Sequence, residues 1–537
     1  VVNIMKRLLL SALLATTLLA CQPKEVNYAL KIVTQSCEAA SNPFDGVQFL
    51  RIRVTGPGME PVETVTPSNP ATREAKVPQI PSGDDRVIEV RGYESDPAAN
   101  GRVVSIGKSL PFDVPDVVPE DLVGKAVEVN VVLRKVNTFS PVVAAASPDQ
   151  CEKLEVARAG HTATLLADGR VYIAGGFNFK PGAAEKQALS ATEIFDPNTG
   201  AFTPARPLSL TSQGVVYELP RAYHAAVRIP NGQVVLWGGE TYGGGTNNTI
   251  SPIAWLNFYD PVADDYYAVG SRTPPAIKRS RHSMAVDANG KVLVVGGITY
   301  KSSIVPADEV EWLDPAASSN LFKIVEGVTL PRLGATVMPV KKGEFIAVLG
   351  GTDGSSLKND VTYFKFTGTT FAQQGLNPAP RLADPGRRAA AGALIRGGED
   401  LVLLGGYSHA TNVSPLASSE VLTAGTATVS MGPDVRTARG EICAVTMGDG
   451  SVLAVGGRTS DGGGPARSDA TAIIVSANAS GAVTSIAAPN LPKPRYGHTC
   501  TALLDGSVLI TGGINESVDG SIEILQDAWI YTPAPTN

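Results

Sequence analysis

Seven copies of one short pattern predict an all-β chain, and three observations carry that prediction. Diglycines recur at Gly175-Gly176, Gly238-Gly239, Gly296-Gly297, Gly350-Gly351, Gly405-Gly406, Gly456-Gly457 and Gly512-Gly513. Each closes an apolar run such as Val171-Tyr172-Ile173-Ala174 or Val292-Leu293-Val294-Val295, and runs this short between turns read as buried strands. Before each run stands a turn: Asp168-Gly169, Asn231-Gly232, Asn289-Gly290, Asp449-Gly450 and Asp505-Gly506, with Lys342-Gly343 and Gly397-Gly398 as variants. Asn-Gly and Asp-Gly tolerate the positive φ of a two-residue hairpin, so each turn is expected to join two antiparallel strands.

An arginine opens each unit: Arg158, Arg221, Arg279, Arg332, Arg388, Arg439 and Arg495. From it the first glycine lies 17 residues on in six units and 18 in the fourth. Four units continue as R-x-x-H, ending in His161, His224, His282 and His498, while the others place Ala335, Ala391 and Ile442 there. A third strand is clearest in Glu193-Ile194-Phe195-Asp196-Pro197 and a fourth in Ala201-Phe202-Thr203-Pro204. Arginine with histidine, an apolar strand closing in Gly-Gly, and an aromatic near Asp-Pro together resemble the Kelch repeat. The resemblance covers residues 137 to 537, and weakens in units five and six, where Val421 and Ile474 stand in place of the aromatic. It implies one four-stranded blade per unit and so a seven-bladed Kelch-type β-propeller. The last unit runs out of chain before a fourth strand. Thr138-Phe139-Ser140-Pro141 resembles Ala201-Phe202-Thr203-Pro204, so residues 137 to 143 are expected to pair with the last blade and close the ring.

At 537 residues the chain exceeds the roughly 250 to 300 at which a single core stops growing, so a second domain is expected. Between residues 27 and 136 the diglycines vanish and alternating runs appear, as in Val47 to Val54, Arg86 to Arg91 and Val127 to Leu133. A small immunoglobulin-like β-sandwich acting as a spacer is the expected packing. Ahead of it, Met5-Lys6-Arg7 followed by the apolar stretch Leu8 to Leu19 reads as a signal peptide over 1 to 20, with Met5 as its start. Leu18-Leu19-Ala20-Cys21 resembles the bacterial lipobox, which implies lipid attachment at Cys21, a tether over 21 to 26, and export. Gln22, in place of an aspartate, points to the outer membrane within that sorting pattern. Four further cysteines allow three pairings in an oxidising compartment. Pairing Cys37 with Cys151 and Cys443 with Cys500 is the economical choice, because the last two fall in corresponding strands of neighbouring repeats.

Composition excludes several functions. Hydrophobic residues at 43% and charged residues at 18% argue against wholesale disorder, and a formal net charge of -6 without a basic stripe argues against nucleic-acid binding. The repeated histidines are equivalent positions spread round a ring, three of which lack a donor, so they read as seam packing and no metal or other cofactor is expected. A copper centre of the galactose-oxidase kind needs two histidines on one face, and His409 alone stands outside the repeat. No HExxH, P-loop or nucleophile elbow is present. The expected function is therefore a monomeric binding module for a protein or glycan at the cell surface; the alternative is a carbohydrate-active propeller enzyme of the oxidase or epimerase kind. The loops after each diglycine are long and differ in every unit, whereas the turns on the other face are short and uniform, so the ligand is expected on the former. They offer Asn178, Phe179, Lys180, Tyr242, Asn247, Tyr300, Asp353, Tyr407, His409, Arg458, Asp461 and Arg467.

Overall fold

A computed structural model describes residues 27–34, 37, 42–68, 77–122, 125–212, 214–243, 248–267, 277–317, 321–460, 464–478 and 480–535. The expected signal peptide, the lipidation site Cys21 and the tether lie outside the described residues. The chain divides into two compact units between Val136 and Asn137. No helix among the described residues is long and apolar enough to cross a membrane.

The first unit holds β1 (Asn27–Thr34), β2 (Phe49–Thr55), β3 (Val62–Pro67), β4 (Gly83–Tyr93), β5 (Val103–Lys108), β6 (Phe112–Val114) and β7 (Ala126–Lys135). β2 alternates as its sequence predicts, with Leu50, Ile52 and Val54 buried against Ile88, Val90, Val131 and Leu133. An immunoglobulin-like sandwich is not confirmed by the pairing. The strands form one path, β1-β7-β5-β4-β2-β3, with β6 on β4; β1 and β7 run parallel, and two residue pairs join β5 to β7.

The second unit is a seven-bladed β-propeller. In blade 1 the strands Thr162–Leu165, Val171–Ala174, Thr192–Asp196 and Ala201–Ala205 form one antiparallel sheet in chain order, and six further four-stranded sheets repeat it. Every first strand touches the first strands of both neighbouring blades, so these strands encircle the axis. Blade 7 takes its outermost strand from upstream: β8 (Thr138–Pro141) pairs with Ala528–Thr532, matching Phe139 to Tyr531 and Ser140 to Ile530. Cys443 and Cys500 form a disulfide between the first strands of blades 6 and 7. Cys37 and Cys151 are each disulfide-bonded as well.

Both glycines of each pair carry positive φ, 57° to 71° at the first and 82° to 122° at the second. The second donates its N–H to the carbonyl of the arginine opening the next blade: Gly176 to Arg221, Gly239 to Arg279, Gly297 to Arg332, Gly351 to Arg387, Gly406 to Arg439, Gly457 to Arg495, and Gly513 back to Arg158, all at 2.8–3.1 Å. A Cβ on Gly238 would lie 2.3 Å from the Arg279 carbonyl oxygen, so no side chain fits there. The same arginines turn inward as buried forks. Arg158 meets Glu193 and the Gly175 carbonyl, Arg279 meets Glu311, Arg387 meets Glu420, and Arg495 meets Asp527. Blade 2 substitutes an amide, with Arg221 Nη2 donating to Asn257 Oδ1 at 2.5 Å. With no anion to balance burial, Arg221 is pulled down to about 10, still charged at neutral pH.

Two sequence expectations are corrected here. The fifth opening arginine is Arg387, which occupies the seam, whereas Arg388 points elsewhere; the residue matching the histidines is then Ala390, packed on Gly406. The spacing to the first glycine is thus 18 in blades 4 and 5 alike, because their hairpins loop through four residues, Lys341 to Glu344 and Arg396 to Glu399. The other five turns hold three loop residues. In blade 1, Leu166 and Arg170 still pair and Gly169 donates to the Leu166 carbonyl, so glycine alone needs positive φ (88°) while Asp168 Oδ1 accepts from the Arg170 N–H. A type I turn with a glycine bulge relieves the aspartate of the left-handed conformation that a two-residue loop would impose.

The four repeated histidines pack at seams, each ring carbon against the first glycine of the preceding blade. Burial, with the neighbouring arginine second, holds His161, His224 and His282 well below the ordinary value and His498 down to about 3. The native state therefore binds fewer protons than the unfolded chain between about pH 6.5 and 3, and stability falls as pH drops through that window, by at most about 1.4 kcal/mol per pH unit for each histidine. Urea midpoints measured from pH 7.5 to 5 are expected to fall on acidification and to fall less in His498→Ile, which copies Ile442 of blade 6; an equal slope in both proteins would refute the assignment. Deleting Thr138–Pro141 is expected to lower the calorimetric melting temperature sharply, since it leaves Ala528–Thr532 as a bare edge; an unmoved midpoint would rule out closure by β8.

Candidate functional site

Two residues beyond each seam arginine the chain turns left-handed. Gly160, Tyr223, Arg281, Gly334, Ala389, Glu441 and Gly497 all have φ between 50° and 67°. They stand where the first strands begin, and their backbones link blade to blade: Tyr223 donates to Gly160, Arg281 to Tyr223, Ala389 to Gly334, Glu441 to Ala389 and Gly160 to Gly497, at 2.7–3.0 Å. Five of the seven neighbouring pairs are bonded in this way, and the seven turns form a belt, broken between Arg281 and Gly334 and between Glu441 and Gly497, at the diglycine end of the channel. Three of the seven are glycine, as the conformation favours; four are not, and left-handed backbone in a residue with a Cβ costs about 1–2 kcal/mol. Strain of this kind is commonly kept where a side chain has work to do.

Above the belt, charged and aromatic side chains converge from several blades. On one side Arg281 lies over the Tyr223 ring, 4.4 Å from its centroid, and grips Glu240 with Nε at 3.0 Å and Nη2 at 2.8 Å. Ser280 Oγ and Tyr242 OH donate to the same carboxylate at 2.8 and 3.1 Å. Burial opposes the Arg281 charge, but the Glu240 fork outweighs it and holds the guanidinium above its ordinary value. Across the mouth Arg458 packs on Tyr496 at 5.2 Å and grips Glu516 with Nε at 2.6 Å and Nη2 at 2.8 Å. Arg388 packs on Tyr407 at 4.8 Å and donates to the carbonyls of His409, Thr411 and Asn412. In all three arginines Nε and Nη2 are committed while Nη1 has no partner among the described residues. The third wall is apolar: Phe177 and Ile514, with Tyr223, Tyr242 and Tyr496 packed against them.

Glu441 stands in this mouth. Its side chain is open to water, and Tyr407 OH, at 3.5 Å, is its hydrogen-bond partner. Crowding by the walls of the mouth strips part of its hydration and raises its carboxyl above the usual range, outweighing Arg458, Arg388 and Arg281, which favour the charged form. Burial likewise raises Tyr223, Tyr242, Tyr407 and Tyr496, so these phenols are neutral donors.

Of the residues singled out from sequence, the structure brings Tyr242, Tyr407 and Arg458 into the mouth. Tyr407 is fully buried, so it is a wall and not a free contact. Asn178 and Phe179 sit on the short ribbon Phe177–Phe179 with Lys186–Ala188, and Lys180 leaves it to pair with Glu185. Asp353 is spent on its own loop, accepting from Ser355, Ser356 and Lys358. His409 is exposed but its Nδ1 accepts from the backbone of Thr411 and Asn412. Tyr300 is 63% exposed, and Arg467 lies on the ribbon Ala466–Ser468. Asn247 and Asp461 lie outside the described residues. Sequence reasoning missed Tyr223, Arg281, Arg388, Glu441 and Tyr496. A signal was present: the second position after the seam arginine is glycine in three repeats and tyrosine, arginine, alanine or glutamate in the rest.

Residues 157–209 match the family profile of the Kelch motif. Among solved structures, one titled "Structure of YjhT" shares 16% identity with this chain at a TM-score of 0.43, covering 62% of this chain and 99% of that one. No curated protein matches.

The belt makes a direct claim about strain. Ala389→Gly is expected to stabilise the propeller by about 0.5–1 kcal/mol in chemical denaturation, the relief at positive φ exceeding glycine's entropy cost; a loss of stability would mean that the belt is unstrained there.

Proposed function

We propose that this Kelch-motif propeller is a binding module that holds a protein or glycan partner at the mouth of its channel, on the diglycine face. One observation carries the reading: side chains from the blade 2–3 side and the blade 5–7 side converge around Glu441, where two arginines are locked by carboxylate forks and a third by three carbonyls, each leaving Nη1 without a partner among the described residues. Aromatic walls beside oriented donors and a water-exposed carboxyl suit a hydroxyl-rich sugar or a polar protein segment, because the rings supply apolar area and the polar groups fix orientation. Export and lipid anchoring at Cys21, with placement at the outer membrane, rest on the leader sequence. The partner is then met at the cell surface by a monomer.

A second reading, a carbohydrate-active enzyme, draws its support from Glu441, a carboxyl that keeps its proton more readily than usual and sits beside Tyr407. Acid–base work on a sugar asks for such a group. Turnover followed by NMR on a panel of free sugars separates the two, since a binder leaves anomers and epimers unchanged.

Glu441→Gln is expected to weaken partner binding at least tenfold on a glycan array or in a pull-down, while shifting unfolding free energy by no more than about 0.5 kcal/mol. Undiminished binding would move the site off the mouth. Alanine at Tyr407 or Arg458 is a poorer test, because each also supports its neighbours.

A further inference from the structure

We propose that the disulfide between Cys443 and Cys500 is a positioning clamp of the channel mouth: it stands where the belt bond between blades 6 and 7 is missing, sets Glu441 against Tyr496, and makes the site sensitive to thiol reductants. This names a control on the mouth and rests on the reading of the mouth as the ligand site.

The clamp lies beside the site in the chain. Cys443 opens the innermost strand of blade 6, Cys443–Thr446, just after Glu441 and Ile442. Cys500 lies in the innermost strand of blade 7, Thr499–Ala502, which follows Tyr496, Gly497 and His498. In the belt Glu441 donates to the Ala389 carbonyl at 2.9 Å on the blade 5 side, and Gly497 accepts from Gly160 at 3.0 Å on the blade 1 side. Between Glu441 and Gly497 themselves no backbone bond forms, so the belt holds each from its far side only. Elsewhere side chains of the innermost strands also bond across the seam: Thr336 Oγ1 to the Ala390 carbonyl at 3.0 Å, Thr446 Oγ1 to that of Leu394 at 2.7 Å, and Thr499 Oγ1 with His161 Nε2 at 3.2 Å. Between blades 6 and 7 a covalent bond takes that part, with the two Cα atoms 6.0 Å apart. The other gap in the belt differs, because Arg281 is locked by its own fork on Glu240.

Glu441 has no such fork. Tyr407 OH, at 3.5 Å, is a long bond, so the carboxyl is aimed chiefly by its backbone, and the clamp ties that backbone to blade 7. Arg458 of blade 6 meets Tyr496 and Glu516 of blade 7 across the same seam. Both cysteines are partly exposed, on strands that encircle the channel, so a small dithiol reaches them along it. One thiolate of the dithiol attacks a cysteine sulfur, the S–S bond breaks, and its electron pair leaves on the other cysteine, which takes up a proton. The second thiolate then attacks the mixed disulfide and frees the first cysteine, so the reagent departs oxidised as a cyclic disulfide and the protein holds two thiols. With no bond left between the strands, the gap in the belt widens and Glu441 gains water.

The test uses the full chain, oxidised, reduced with dithiothreitol, and reoxidised. Amide exchange, followed by peptide mass, is expected to speed up by about tenfold over 441–446 and 496–501 on reduction, to revert on reoxidation, and to stay unchanged over 281–286 of blade 3. NMR titration of glutamate labelled at the carboxyl carbon, with Glu441 assigned from Glu441→Gln, is expected to show the Glu441 carboxyl falling by about half a pH unit as it is rehydrated beside Arg458, Arg388 and Arg281. Cys443→Ser with Cys500→Ser, which spares Cys37 and Cys151, is expected to match the reduced protein without any reductant. Exchange that rises equally in every blade, or a double variant that matches the oxidised protein, overturns the proposal; the wild-type comparison decides even if the variant misfolds. Loss of partner binding in Glu441→Gln with an unmoved Glu441 titration overturns the clamp and leaves the mouth as the binding site, whereas a moved titration with undiminished binding upholds the clamp and places the ligand elsewhere.

Discussion

Everything in the propeller hangs on one backbone hydrogen bond repeated seven times, from the second glycine of one blade to the carbonyl of the arginine that opens the next. It can form only where two main chains approach more closely than any Cβ allows, and both glycines sit at positive φ to aim the N–H outward. The arginine then presents its carbonyl to one blade and its guanidinium to its own. A buried guanidinium without partners costs far more than a hydrogen bond returns, so the forks are answered by carbonyls in every blade but the fourth and, in every blade but the second, by an acid. Charge, amide and glycine thus stand or fall together. The seventh bond, Gly513 to Arg158, joins the last blade to the first through the same geometry as the other six.

That seam dictates the course of the chain just beyond it. Once the arginine carbonyl is pinned, the chain has to reverse within two residues to enter the innermost strand, and the left-handed turn is how it does so in every blade. A purely structural chain would place glycine there seven times. This chain places tyrosine, arginine and glutamate at three of those positions, and these project over the channel beside the residues that come after the diglycines. Site and scaffold therefore share residues: Tyr223 is both a belt member and the platform for Arg281, and Tyr407 is both a wall and the donor to Glu441.

How much of this is legible in the sequence depends on which features repeat. Diglycines, arginines and apolar runs recur because every seam needs them, so seven blades and the borrowed strand can be read directly. Arg388 passes for the seam residue because Arg387 and Arg388 are identical letters, and only the four-residue turn Arg396 to Glu399 explains why the count shifts by one. Asp-Gly and Asn-Gly name the turns but not their type, since an aspartate that caps the next-but-one N–H favours the three-residue loop as well as glycine does. The site itself is half visible. Loop variability points to the diglycine face and so to Tyr242, Tyr407 and Arg458, but not to Arg281 or Glu441, which look like repeat residues until their backbone conformation is known. His409 and Asp353 stand out as lone polar groups, yet each is consumed by its own loop.

The pattern of pairing at the mouth says what kind of partner it fits. Seven charged groups meet there: Arg281, Arg388, Arg458 and Lys186 against Glu240, Glu441 and Glu516. Two arginine–carboxylate forks cancel four of them, and Arg388 is held by three carbonyls, so little net field remains to draw in an ion from a distance. The groups left open are local and directional: one N–H group on each arginine and the Glu441 carboxyl, held by a single long bond from Tyr407, set against tyrosine rings whose hydroxyls stay protonated. Groups fixed in this way discriminate by matching donors to acceptors, and a partner lacking the match leaves buried polar atoms unsatisfied. Rigid forks make that penalty large, because the arginines cannot swing away without abandoning Glu240 or Glu516. The strain stored in the belt thus finds its use: the same left-handed turns that lead into the innermost strands hold the few open polar groups in place.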